Sequence, residues 1–359
     1  MRTDSPFHVV ERRSPFIRQF GGPGDNGIVC FKFWQAVVAS GCPGECAYCF
    51  LQTQTPYRRG LYELKGTLFS NLDKLTGEAV KWLASQSRRS GLIVGENQDG
   101  LAFERPYKRL LGITPLEILV PAFGSEHNTR NHTLVVLSKF TTTEYAEASV
   151  RAPPSNVVFS WSLSLPTISK RYEKKVAPLK NRLAKAVEMR NKGWRIRFRL
   201  DALAPVPAWR EDLRHIVDQI NRASPEMLTI GALRASNAGA LRKAARAGGR
   251  DATIFDHIHD KDPSGFKYRT GSSFQVEAFQ AVREQLDPSI RLGLCKEDYS
   301  IWKEVGVTWD GCHCLASSDD SVTKERSLIL VQLAGKRGSN ASGLHSDPRA
   351  SRERKRKRA

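Results

Sequence analysis

Three cysteines are the residues of this chain best placed to do chemistry. Cys42, Cys46 and Cys49 lie in Ser40-Gly-Cys-Pro-Gly-Glu-Cys-Ala-Tyr-Cys-Phe-Leu-Gln52, a C-x3-C-x2-C triplet on a loop marked by Gly and Pro. Three thiolates on so short a loop suit three corners of a 4Fe–4S cube, whose usual ligands are Cys thiolates. The fourth iron is then left for a ligand that is not protein. The competing reading is a zinc site or a set of buried thiols. Zinc usually takes four protein ligands, commonly as paired C-x2-C units. Here there is one thiol too many for a single pair and no adjacent fourth ligand. His8 and Cys30 are the nearest other candidates, and neither has a zinc-like spacing. The softness and geometry of the donor set favour the cluster.

A second constellation is basic. Arg195, Arg197 and Arg199 alternate along one segment, so on a strand all three share a face. Ile196, Phe198 and Leu200 would then pack the other way, against helices. On a barrel strand the arginine face lines the cavity near an anionic substrate. Arg234 is a second anion candidate. The plain alternative for both is salt bridging to Asp201 or Glu173.

The elements that position these residues can be read from apolar patterning. Short apolar runs at Val29–Phe33, Leu92–Val94, Thr133–Leu137, Val157–Leu163, Arg195–Asp201 and Met227–Ile230 predict strands. Between them, Leu68–Gln86, Val176–Lys192 and Trp209–Ala223 carry helical spacing, as with Leu213, Ile216 and Ile220. Strands alternating with helices imply parallel βαβ units and an α/β barrel or doubly wound sheet. The cysteine loop follows the first strand, where a barrel enzyme puts its chemistry. The expected division is an irregular segment 1–28, a barrel over 29–255, a C-terminal extension over 256–334, and a flexible basic tail over 335–359.

Composition narrows the function classes. The chain has 359 residues, 40% of them hydrophobic, enough for a large α/β domain with an appendage. No apolar run reaches membrane-spanning length, and Met1–Phe20 does not read as a signal peptide. Seven cysteines, three in one motif, argue against a disulfide framework and for a reducing cytoplasm. The net charge of +19 points to a polyanion, most simply nucleic acid. The terminal run Ser351-Arg-Glu-Arg-Lys-Arg-Lys-Arg-Ala359 accounts for only part of it. Arg58, Arg59, Arg88, Arg89, Lys108 and Arg109 spread the excess through the chain.

Several segments resemble the spore photoproduct lyase branch of the radical S-adenosylmethionine (SAM) superfamily. Gly41–Thr53 looks like that family's cluster loop, including Leu51-Gln52 after the last Cys. Val136-Leu-Ser-Lys-Phe140 and Phe159-Ser-Trp-Ser-Leu-Ser164 are similar to its third and fourth strands. Gly231-Ala-Leu-Arg234, Leu294-Cys-Lys-Glu297 and Cys312-His-Cys-Leu315 resemble later segments, so the likeness covers roughly 29–316. It implies a partial (β/α) barrel of the radical SAM type with a C-terminal extension. It also implies a 4Fe–4S cluster on Cys42, Cys46 and Cys49, with SAM as cofactor. An electron donor would reduce the cluster, and the substrate would be a modified or damaged thymine in DNA. Tyr48 matches an aromatic inside the loop, and Lys139 and Ser162 match polar positions near the cofactor. Glu96 stands where the superfamily holds the amino group of SAM, a charge-assisted contact, with Asp99 in the same segment.

Two departures bear on the reaction. The lyases carry a hydrogen-donating Cys in the strand-two segment; aligning on Asp99 puts Glu96 there. The Tyr that follows their third cluster Cys is Phe50 here, which has no O–H hydrogen. Without that return path, the resemblance implies radical rearrangement of a 5-substituted thymidine, as in virus DNA hypermodification, in which case the compartment is the host cytoplasm. The alternative is a repair lyase with a substitute thiol, Cys295, Cys312 or Cys314. Reaching a base in duplex DNA costs about a few kcal/mol of unstacking, and Trp161, Trp194, Trp209, Tyr57 and Tyr62 are the candidate stacking platforms.

Overall fold

A computed structural model describes residues 7–21, 32–53, 66–261 and 267–308. The chain enters through β1 (Phe7–Val10), β2 (Ile17–Gly21), β3 (Lys32–Ala36) and β4 (Ala39–Ser40). After the cysteine loop come β5 (Gly66–Phe69), α1 (Leu72–Ser85) and β6 (Gly91–Val94). Then follow α2 (Glu104–Leu111), α3 (Pro115–Gly124), β7 (Thr133–Ser138), α4 (Glu144–Ala148) and β8 (Val157–Leu163). Next are α5 (Pro166–Tyr172), α6 (Leu179–Asn191), β9 (Arg195–Leu203), α7 (Trp209–Ala223) and β10 (Met227–Ala232). The described chain closes with β11 (Arg234–Ala235), α8 (Ala238–Ala247), β12 (Asp260–Lys261), β13 (Tyr268–Arg269), α9 (Ser272–Gln285), β14 (Arg291–Leu294) and α10 (Tyr299–Val305).

Eight strands form the main sheet in the order β14-β10-β9-β8-β7-β6-β3-β2. All neighbours are parallel except the edge pair β2–β3. Parallel strands are covered on both faces, so they read as unbroken apolar runs; in β7, Thr-Leu-Val-Val-Leu-Ser, every residue is buried. Ile93, Val135 and Val158 lie side by side across β6, β7 and β8 and pack with Phe33 and Phe20. Helices close the outside: α7 turns Leu213, Ile216, Val217 and Ile220 inward, the stripe expected from its spacing. In the sheet, β7 and β8 separate β6 from β9. Even so, Glu96 just beyond β6 meets Arg199 of β9 at 3.0 Å. The sheet therefore curls into a partial barrel whose interior is polar at this end.

Several boundaries differ from expectation. The segment 1–28 contains β1 and β2, the former paired with β5 in a small three-stranded sheet with β4. Leu68 and Phe69 belong to β5, so the helix expected from residue 68 starts at Leu72. The helix expected from Val176 begins at Leu179, because Pro178 holds its N-cap in an extended conformation. The cysteine loop leaves the two-residue β4, not the first strand.

Candidate active site

The cysteine loop is shaped by main-chain hydrogen bonds. The Glu45 N–H donates to Lys174 O and the Ala47 N–H to Tyr172 O, both at 2.8 Å, which staples the loop to the end of α5. The Cys49 N–H donates to Cys46 O at 3.1 Å, and the Gln52 amide also reaches Cys46 O. A 3-10 turn over Phe50–Thr53 follows. Gly44 is required by closeness: its N–H lies 3.4 Å from Cys42 Sγ, and a Cβ there would come within 2.7 Å of Val176.

Cys46 is buried, and Cys42 and Cys49 are half-buried. Burial pushes all three thiols above their ordinary range; Cys42 also feels Cys49 and Cys46, and Cys46 feels Cys49. Thiols so grouped resist ionisation until a metal charge is present, and coordination deprotonates a thiol outright. Among the described residues, no three His, Cys, Asp or Glu side chains converge as ligands of one metal ion. A cubane makes a different demand, one thiolate per iron at three separate corners, and the donor set fits it.

Behind the loop sits a carboxylate that the sequence marks only as a salt-bridge partner. Glu173, just past α5, is buried and receives Tyr48 Oη, Lys139 Nζ (2.8 Å), Ser164 Oγ (3.0 Å), Ser169 Oγ (3.3 Å) and the Arg182 guanidinium. Burial alone would raise Glu173, but Lys139 and Arg182 outweigh it and hold the group well below the usual carboxylate range. Burial, then Glu173, pushes the Tyr48 phenol up. Arg182 also donates to Ser162 O (2.8 Å) and Ala177 O (2.7 Å). One acid thus joins the cysteine loop to the carboxyl ends of β7 and β8 and to α6. Tyr48 and Lys139 are brought together here, with the ammonium 5.8 Å from the Tyr48 ring centre. Ser162 contributes its carbonyl.

Asp99, expected as a cofactor contact, is engaged otherwise. It accepts from Ser138 Oγ (2.6 Å) and from the N–H groups of Lys139 (2.7 Å), Leu101 (2.9 Å) and Ala102 (3.1 Å). These contacts brace the turn after β6 against the end of β7. Gly95 permits the approach: its φ is +124°, and a Cβ would lie 2.1 Å from Leu137 O.

The barrel interior holds a second cluster. Arg199 donates to Glu96 (3.0 Å), to Asp201 (2.9 Å) and to Cys295 Sγ (3.4 Å). Arg234 donates to Asp201 (3.3 Å) and to the same sulfur (3.4 Å). Glu297 accepts from Ala232 N–H (3.3 Å) and lies 3.6 Å from Arg234; beyond it, Arg269 donates to Asp298 (3.0 Å). Burial would raise Asp201, but Arg234 and Arg199 bring it down. Glu297 is lifted by burial to about 7 despite Arg234. The turns after β6 and β14, the middle of β9 and the start of β11 therefore bring Glu96, Arg199, Arg234 and Cys295 into one site.

Other expected residues lie elsewhere. Arg195 and Arg197 stand at the amino end of β9, both on Glu226, with Arg195 at 2.7 Å. They do not join Arg199, so the expectation of three arginines lining one cavity is corrected to one. Trp161, Trp194 and Trp209 are buried against Phe140 O, Phe159 and Phe274, and none is a free stacking platform. Phe50 is 45% exposed beside the loop. Cys314, Cys312, Cys30, Tyr57, Tyr62, Arg58, Arg59 and the basic tail lie outside the described residues.

No protein-family model matches the sequence, and no curated protein does. Solved structures do. A spore photoproduct lyase variant with dinucleoside spore photoproduct superposes with a TM-score of 0.62 at 16% identity, over 80% of this chain and 82% of that one. A variant holding AdoMet as well gives 0.60 at 16% identity, over 80% and 81%. Streptococcus suis SuiB bound to S-adenosylmethionine gives 0.47 at 8% identity, over 84% of this chain and 52% of that one. The fold expected from the sequence, the partial (β/α) barrel of the radical SAM type, is the one observed, and it is the fold of spore photoproduct lyase.

Proposed function

We propose that this protein is a radical SAM enzyme acting on a thymine-derived base in DNA, and that it rearranges a 5-substituted thymidine. The observation that carries the reading is a barrel that superposes on that of spore photoproduct lyase, with the cysteine triplet on a loop tied to the carboxyl ends of its strands; alignment on Asp99 sets Glu96 in place of the lyase thiol. When bound, a 4Fe–4S cluster and SAM supply a reducing electron and a 5′-deoxyadenosyl radical. Cys42, Cys46 and Cys49 are the cluster ligands. Glu96, which already accepts from Arg199, would accept the cofactor's ammonium. Arg199 and Arg234 fix the substrate's anionic or carbonyl groups, and Lys139 and Tyr48, locked on Glu173, wall the cofactor side. The DNA partner is supported by the +19 charge and by the dinucleoside lesion that the similar lyase structures hold.

A repair reaction is the second reading, because one thiol does stand in the interior. Cys295 is buried at the end of β14. Its sulfur accepts two guanidinium N–H groups through its lone pairs, which leaves the S–H able to give a hydrogen atom. In the rearrangement reading the hydrogen returns instead from 5′-deoxyadenosine, and Cys295→Ala separates the two.

The test is anaerobic turnover of two DNAs, one carrying ultraviolet thymine cross-links and one carrying amino-acid-modified thymidine, followed by digestion and mass spectrometry of the nucleosides. A modified nucleoside that changes retention but keeps its mass, in wild type and in Cys295→Ala alike, is the expected result. Plain thymidine released from the cross-link, and abolished by Cys295→Ala, would establish the repair reading instead.

A further inference from the structure

A groove of about 620 Å³ borders the cysteine loop. Its walls are Glu45 and Ala47, which flank Cys46, together with the end of α5 and the turn after α8. Four cations line it: Lys170, Arg171, Lys174 and Arg250. Arg171 is neutralised by Asp251, and Glu45 by Lys175 from outside the groove. No ion pair is formed by Lys170, Lys174 or Arg250 among the described residues, and both lysines are exposed. Arg250 donates to Ala244 O at 3.0 Å, but its buried Nε has no partner. Its charge is also felt at Cys49. The groove shares no lining residue with the Arg199–Cys295 cluster, where the base is proposed to react.

We propose that this groove is the docking site of an acidic one-electron carrier protein that reduces the centre held by the cysteine loop. The inference rests on the function proposed above, which requires one electron per cofactor cleavage. The carrier gives up one electron and is oxidised by one; the centre accepts it and no proton is transferred. Three uncompensated cations beside the ligand loop attract an acidic surface and bring it against that loop. Electron-transfer interfaces of this kind are small and electrostatically steered, under about 1,200 Å². DNA phosphate is the competing occupant. The groove's separation from the interior cluster and its contact with the cysteine loop favour the carrier.

The probe is an acidic flavodoxin in its hydroquinone form, against full-length reconstituted protein. Two quantities are measured: its dissociation constant by anisotropy, and the rate of SAM cleavage it drives, with dithionite as a small-molecule reference. In Lys170→Glu/Lys174→Glu and separately in Arg250→Gln, flavodoxin binding and flavodoxin-driven cleavage should weaken, by about tenfold or more for the double reversal. The wild-type rate should fall steeply with salt. Dithionite-driven cleavage and affinity for labelled duplex DNA should stay within about twofold. Unchanged flavodoxin binding in the variants, no binding by wild type, or loss of DNA affinity with flavodoxin-driven rates intact would each overturn the assignment. Failure of dithionite to drive cleavage in wild type would instead remove the function on which it rests.

Discussion

Glu173 shows how much a single buried charge organises. Its side chain is fully buried, and its partners come from the cysteine loop, β7 and α6. Removing one member of a buried pair leaves the other charges uncompensated, at about 3–5 kcal/mol. Glu173→Gln should therefore lower the free energy of unfolding by that amount at pH 7. The pH dependence has a definite sign. The folded group sits below its unfolded value of about 4.3, so its stabilisation is present above that pH and lost as pH falls. Acid unfolding of Glu173→Gln should be correspondingly shallower. Glu297 behaves oppositely. With a folded value of about 7, the folded state binds a proton that the unfolded chain has released above about 4.3. Stability should fall as pH rises from about 4.3 through 7, by on the order of 3 kcal/mol, and Glu297→Gln should remove that slope and be the more stable form at pH 8. Denaturant titrations across pH measure both. Neither acid was legible as a site residue. Glu173 lies in Lys170-Arg-Tyr-Glu-Lys-Lys175, which reads as a solvated charge run, and its burial follows only from the return of the cysteine loop onto α5. The three cysteines stand out in the sequence because their C-x3-C-x2-C spacing alone suggests a shared ligand role.

At the scale of elements, strands buried on both faces announced themselves. Val157–Leu163 is observed as expected, and Thr133–Leu137 gains only Ser138. The short edge strands β1, β2 and β4 carry no such run and depend on pairing partners distant in sequence, so the N-terminal segment read as irregular. Alternation along β9 put Arg195, Arg197 and Arg199 on one face, but periodicity does not say how far along the barrel each one lies. The turn after β6 is the element on which the site most depends. Gly95→Ala combines a strained φ with a collision against main-chain oxygen, and should cost at least about 3 kcal/mol and abolish activity. Gly77→Ala is its contrast: a Cβ there meets nothing within 4 Å in the middle of α1, and the helix should gain about 0.5–1 kcal/mol. Thermal melts of the two variants should move in opposite directions; equal effects would show that the β6–β7 approach is not as tight as the structure has it.

The whole molecule keeps two kinds of charge apart, a paired cluster in the barrel interior and a cationic groove along the cysteine loop. Inside, arginines and carboxylates are nearly balanced around Cys295, which suits a substrate recognised by hydrogen bonds in a low-dielectric cavity. Outside, the uncompensated cations of the groove suit an acidic surface. Among the described residues, no helix is long and apolar enough to cross a membrane. What the triplet holds decides between a cluster and zinc, and one measurement addresses it directly. Iron and sulfide are counted in the anaerobically reconstituted protein, and the electron paramagnetic resonance of the reduced form is recorded with and without SAM, in wild type and in Cys46→Ala. The expected result is about four irons per chain, a signal that changes when SAM is added, and loss of that change in Cys46→Ala. One zinc per chain, or a reduced cluster indifferent to SAM, would contradict it.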